Sequence, residues 1–76
     1  MAITAAEIEH LIKTALPTST VIVQSEDGHH FAAEVIDESF KGLNRVQQQR
    51  AVNAAIREKL DSGELHALAL TTRAPD

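Results

Sequence analysis

Phe40-Lys41-Gly42-Leu43-Asn44-Arg45-Val46-Gln47-Gln48-Gln49-Arg50, running on through Ala51 to Leu60, breaking at Ser62-Gly63 and resuming as Leu65-His66-Ala67-Leu68-Ala69-Leu70, decides the fold of this chain. It reads as a glycine-bearing loop, a long helix, a glycine stop and a short buried strand. Asn44-x-x-Gln47 has the form of a capping box, in which the Asn44 side chain accepts from the orphan backbone N–H of Gln47. Val52, Ile56 and Leu60 recur at helical spacing with Ala55 beside them, and Gly63 stands where a left-handed residue ends a helix. Gln49 interrupts the apolar stripe, so the first turn of this helix is expected to be less buried than the rest.

Working outward, Ile3-Thr4-Ala5-Ala6-Glu7-Ile8 is a helix start, with Thr4 and Glu7 as a capping box and Ile3 and Ile8 as a hydrophobic staple. Ala5, Ile8, Leu11, Ile12 and Ala15 mark its apolar face, and Pro17 ends it by disfavouring helical geometry at Leu16. Ser19 to Ser25 is rich in β-branched residues and predicts a strand; Glu26-Asp27-Gly28 is turn chemistry; His30 to Asp37 predicts a second strand, antiparallel to the first. Phe31, Ala33 and Val35 fall on one side of that strand and His30, Ala32, Glu34 and Ile36 on the other, and Glu34 makes the Phe31 side the expected core face. The second strand, the long helix and the strand from Leu65 to Thr72 form a crossover unit, which requires parallel neighbours and a right-handed connection. The expected fold is therefore α+β in the order α-β-β-α-β, a three-stranded mixed sheet with helices packed on one face. The tail from Thr72 to Asp76 is expected to fray.

With 76 residues the chain is expected to form one domain over positions 1–76. A chain this short buries only about 60–65% of its unfolded surface, so its margin is about a few kcal/mol. There is no cysteine, hence no disulfide and no thiolate ligand. The start lacks a basic region followed by an apolar run, and no apolar run reaches the ~20 residues of a membrane span. A cytoplasmic protein without membrane contact is the expectation. The net charge of −4 opposes nonspecific nucleic-acid binding, but its distribution is uneven. Lys41, Arg45, Arg50, Arg57 and Lys59 share a stretch whose only acid is Glu58, giving one basic face on an acidic molecule.

Four histidines are the residues suited to borderline metals. His66 opens the last strand, where Leu68 and Leu70 share its side if the strand is regular. It is open to two readings: a structural histidine donating one ring proton to a carbonyl, or a metal ligand at the sheet edge with one nitrogen exposed. His29 and His30 are adjacent, so on an extended backbone their side chains diverge; either could join His66 if the hairpin loop folds toward the last strand. His10, on the exposed side of the first helix, reads as solvated. No phosphate loop, nucleophile turn or HExxH spacing occurs, and Asp37-Glu38 reads as a turn or cap element, so no enzymatic activity is expected. Taking ~100° per residue, Arg50, Asn53 and Arg57 lie within about 60° on the long helix and could follow phosphates, with Gln47 and Gln48 available for base edges. A solvated polar helix face accounts for the same residues, and Phe31 and Phe40, the only aromatics, read as structural rather than as stacking platforms.

Asp27-Gly28-His29-His30-Phe31, then Phe40-x-Gly42-Leu43-x-Arg45-Val46-x-x-Gln49, then Leu65-His66-Ala67-Leu68-Ala69-Leu70 give the chain a resemblance to the BolA family, and within it to the IbaG/YrbA-like bacterial branch. It covers nearly the whole chain, and implies a class II KH-like fold. It also implies a partner, a monothiol glutaredoxin of the CGFS type, with which a [2Fe-2S] cluster is shared in assembly, trafficking or stress sensing. His66 matches the family's C-terminal cluster ligand, and His30, with His29 as an extra candidate, matches the ligand from the hairpin loop. A chain without thiols could supply imidazoles to one iron while the partner supplies thiolates, and histidine ligation raises a cluster's potential. Alone, it is expected to be a monomer or weak homodimer with no cluster bound. The basic face of Lys41, Arg45, Gln48, Arg50, Asn53 and Arg57 would suit an acidic partner surface or DNA, the latter making the chain a stress-response regulator. Two departures bear on this. Many members carry Arg-His where Gln48-Gln49-Arg50 stands here, and many have a longer tail beyond Arg73. The KH-type Gly-x-x-Gly loop is absent, which disfavours RNA clamping.

Overall fold

The computed structural model describes residues 3–65 and 68–76. Helix α1 (Ala5–Ala15) starts where Thr4 accepts the Glu7 backbone N–H at 3.2 Å. It stops at Leu16, whose backbone leaves the helical region ahead of Pro17 while its N–H still reaches the Ile12 carbonyl at 2.8 Å. Helix α2 (Arg45–Asp61) starts on the complete capping box: Asn44 Oδ1 accepts the Gln47 N–H at 2.8 Å, and Gln47 Oε1 accepts the Asn44 N–H at 3.0 Å. Gly63 follows its end with φ +82°, the left-handed geometry that lets the Leu65 N–H return to the Lys59 carbonyl at 3.1 Å.

Strands β1 (Thr20–Gln24), β2 (Phe31–Ile36) and β3 (Leu68–Arg73) form a mixed sheet in the order β1-β2-β3. β1 and β2 pair antiparallel with Val21 opposite Val35, while β2 and β3 pair parallel with Phe31 opposite Leu68 and Ile36 opposite Arg73. Period-two alternation buries Phe31, Ala33 and Val35, as the position of Glu34 requires. The first two of these strands are shorter than the β-branched run suggests, because their ends are taken by local polar bonds. Ser19 turns its hydroxyl and N–H onto the Leu16 carbonyl, and Asp27 draws the His29 and His30 amides into the hairpin loop.

Both helices lie against the Phe31 face. Ile8 and Ile12 of α1 and Val52 and Ile56 of α2 are fully buried in one cluster with Ile3, Phe31, Val35, Phe40 and Leu65. Ala15, expected on the buried face of α1, is instead exposed: the contact ends one turn earlier, where the chain prepares to leave the helix. As Gln49 suggests, α2 is exposed through Arg45, Val46 and Gln47 and only half-buried at Gln48 and Gln49. The expected frayed tail begins later than Thr72. Thr72 pairs with Val35, the Arg73 carbonyl accepts the Asp37 N–H at 3.2 Å, and Ala74 packs on the core.

Asp37 precedes a single 3-10 turn (Glu38–Phe40) that swings Phe40 into the core. Its side chain is 2% exposed and accepts the hydroxyls of Thr18, at 2.6 Å, and Ser39. Burial alone would raise its pKa, but those two hydroxyls and nearby backbone N–H groups more than offset this and hold it below its ordinary value of 3.8. Asp37→Ala leaves two hydroxyls without their acceptor and should cost about 1–3 kcal/mol in urea unfolding at neutral pH. A depressed folded-state pKa stabilises the fold above the unfolded value and loses that contribution as pH falls through the folded one. The gap between wild type and variant should therefore close as pH is lowered below about 4.

Candidate metal-ligand loop and basic helix face

The hairpin between β1 and β2 is organised by one carboxylate. Gly28, at φ +75°, makes the tight turn, and its N–H bonds Ser25 Oγ at 2.8 Å. Asp27 Oδ1 accepts the backbone N–H groups of His29 and His30, each at 2.8 Å, while Oδ2 lies 2.7 Å from His30 Nδ1. The ring contact first, and then the two backbone N–H groups, hold the Asp27 carboxyl far below the usual carboxylate range. The acid is thus ionised whenever the protein is folded near neutrality.

The consequence for the two loop histidines is unequal. The His30 side chain is 86% exposed, its Nδ1 is engaged by Asp27, and its Nε2 has no protein partner among the described residues. It borders an open depression formed with Gln24, Phe31, Ala32 and Ala69. His29 is exposed as well, but only its backbone is tied to Asp27, and its ring makes no hydrogen bond to the described residues. An imidazole with one nitrogen bonded to a carboxylate and the other open is the arrangement that metal-ligating histidines adopt.

His66 lies outside the described residues. It stands two positions before Leu68 in the chain, and Leu68 is the register partner of Phe31, the neighbour of His30. The starts of β2 and β3 are therefore side by side. Among the described residues no three His, Cys, Asp or Glu side chains are grouped to hold a metal ion. The loop by itself offers only part of a ligand set. His10 is exposed on α1, in keeping with a solvated ring.

The basic face divides into free and committed residues. Lys41, Arg45 and Arg50 are exposed, with no carboxylate within 4.0 Å among the described residues. Arg45 occupies the first position of α2, whose first turn holds no acid, so it sits against the helix macrodipole and contributes nothing favourable to the helix. Asn53 and Arg57 are also exposed, and Arg57 Nε lies 3.8 Å from Asp61 one turn on. Gln48 is committed: its Nε2 donates to the carbonyls of Phe40, at 3.3 Å, and Leu43, at 3.0 Å, and its Oε1 accepts the Thr72 hydroxyl at 2.9 Å. That side chain ties the loop before α2 to β3, and Gln48→Ala should cost about 1–2 kcal/mol in urea unfolding.

Two features of this surface escape periodicity alone. Leu43 and Val46 are exposed, Val46 by 57%, and alternate along the chain with the cations Lys41 and Arg45. Asp27 was legible only as turn chemistry, although the spacing Asp27-x-x-His30 is the signal that a carboxylate could reach the ring.

An α-β-β-α-β chain whose mixed sheet carries both helices on one face and a histidine-bearing hairpin loop at one end defines a small α+β domain. Residues 6–76 match the family model described as BolA-like protein, and the chain belongs to the BolA family. It is 34% identical over 74 residues to an uncharacterized protein, RP812, of Rickettsia prowazekii, covering 95% of each. The solved structure of a BolA homologue from Coxiella burnetii is 38% identical, covers 97% of this chain and 94% of its own, and superposes with a TM-score of 0.83. Human BolA-like protein 1 is 33% identical, over 92% of this chain and 57% of the human protein. No helix among the described residues is long and apolar enough to cross a membrane.

Proposed function

We propose that this BolA-family chain is a non-enzymatic cytoplasmic adaptor that docks a monothiol glutaredoxin and lends imidazole nitrogen to a [2Fe-2S] cluster the partner mainly holds. The observation that carries this reading is His30, whose ring is anchored at Nδ1 by Asp27 and open at Nε2. The donor set suits a shared cluster: imidazoles on a chain without thiols, with thiolates left to the partner. His66 and His30 would face the iron, with His29 next to them on the loop. The cluster, when bound, would supply the redox or transfer chemistry. This chain's part is to present nitrogen donors and a docking surface. Exposed Leu43 and Val46, next in the chain to Lys41 and Arg45, which have no carboxylate partner among the described residues, fit such a surface on an acidic partner, since cations beside apolar area steer association and the apolar area is then buried.

Co-expression with the host's monothiol glutaredoxin tests this. The two proteins should purify together with iron and with a visible spectrum different from that of the glutaredoxin alone. A glutaredoxin that neither retains this chain nor changes its spectrum contradicts the proposal. The DNA-binding reading is weakened by Gln48, because its amide is spent inside the fold and is not free for a base edge.

A further inference from the structure

We infer that Asp27 is a positioning residue that selects His30 over His29 as the loop ligand by fixing its ring tautomer; the inference rests on the cluster-ligating reading above. A neutral imidazole carries one proton, and the nitrogen that keeps it cannot bind a metal. Free histidine mostly keeps that proton on Nε2, the nitrogen a metal would need here. Asp27 Oδ2 is a carboxylate oxygen 2.7 Å from His30 Nδ1 and accepts there, so it holds the proton at Nδ1 and leaves the lone pair on Nε2.

The same carboxylate also sets the ring's direction. Its other oxygen takes the backbone N–H groups of both histidines, which locks the loop into one turn, and only the His30 ring then meets Oδ2. His29 receives backbone support and no ring partner among the described residues. Two adjacent histidines that look equivalent in the sequence are therefore made unequal by one acid three residues before the second of them.

The tautomer can be read without any metal. Long-range proton–nitrogen correlation of the ring nitrogens, at a pH where the rings are neutral, should show His30 as the Nδ1–H form and His29 as the ordinary Nε2–H form. Asp27→Ala should return His30 to Nε2–H, and Asp27→Asn, which keeps an acceptor oxygen, should restore Nδ1–H at least in part. An Nε2–H ring at His30 in the wild type overturns the inference while leaving ligation by His66 untouched. In the cluster-bearing complex with glutaredoxin, Asp27→Ala should weaken cluster retention roughly 10-fold or more, as loss of an outer-shell partner does. His30→Ala should do so at least as strongly and His29→Ala should leave retention unchanged. Sensitivity to His29→Ala alone overturns the choice of His30. Insensitivity to all three loop variants and to His66→Ala overturns the cluster reading itself. The loop is exposed, so amide spectra outside it should confirm that every variant is folded.

Discussion

Phe40→Ala should leave a large fraction of the protein unfolded without any denaturant. The ring is 1% exposed, and truncating a buried phenylalanine costs about 3–5 kcal/mol through lost transfer energy and the cavity left behind. A chain of this length has a core worth only about 3–5 kcal/mol in net stability. The loss is therefore comparable to the whole margin. Phe40 is also where three local devices converge. Its N–H bonds the Asp37 carbonyl at 3.1 Å, and its own carbonyl accepts from the Leu43 N–H at 3.0 Å and the Gln48 amide at 3.3 Å. The side chain thus pins the turn that carries β2 into α2. Val46→Ala, at an exposed apolar position next to the same turn, should change stability by no more than about 0.5 kcal/mol. Urea unfolding followed by far-UV circular dichroism checks both. A Phe40→Ala protein as stable as the wild type would remove that residue from the core.

The second large effect concerns the cluster. In the complex with a monothiol glutaredoxin, the double variant His66→Ala, His30→Ala should lose its iron far faster than the wild type. Loss of an outer-shell partner alone costs roughly 10–100-fold in metal affinity, and removing both imidazole donors should exceed that. The single variants should fall between and shift the visible circular dichroism, since each changes what one iron is bonded to. His30 lies outside the core cluster described above and is exposed, so the free His30→Ala protein should unfold at nearly the wild-type urea concentration. An unchanged spectrum together with an unchanged half-life of the bound iron would show that the partner holds the cluster unaided.

Much of the fold is legible because its signals are local and redundant. Asn44 and Gln47 close their capping box as spaced, Gly63 takes the left-handed conformation, and Glu34 orients β2 by elimination. The trimmed ends of β1 and β2 share a cause. Ser19, Asp27 and Asp37 are short polar residues whose side chains bond to nearby backbone or hydroxyls, and such bonds trim strands in ways a β-branched count does not register. Arg73 reads as tail, and Thr72 as the junction of strand and tail, because nothing local marks their pairing; their partners Ile36 and Val35 are far away in the chain.

The site was less legible than the fold. Its histidines stand out by residue type, but what distinguishes His30 from His29 is a hydrogen bond between the Asp27 carboxylate and one ring nitrogen, which the spacing Asp27-x-x-His30 permits without requiring it. On the basic helix, helical phase correctly put Arg50, Asn53 and Arg57 outside. It could not show that Gln48 turns back to the Phe40 and Leu43 carbonyls, a contact set by the loop rather than by the helix.

In the proposed complex, nitrogen from this chain is bonded to iron held chiefly by another protein. Pulsed electron paramagnetic resonance tests it most directly, on the reduced complex assembled from nitrogen-15 histidine-labelled adaptor and unlabelled glutaredoxin. A strongly coupled nitrogen-15 signal that His66→Ala and His30→Ala diminish is the expected result. A spectrum with no nitrogen-15 coupling of ligand strength would contradict it.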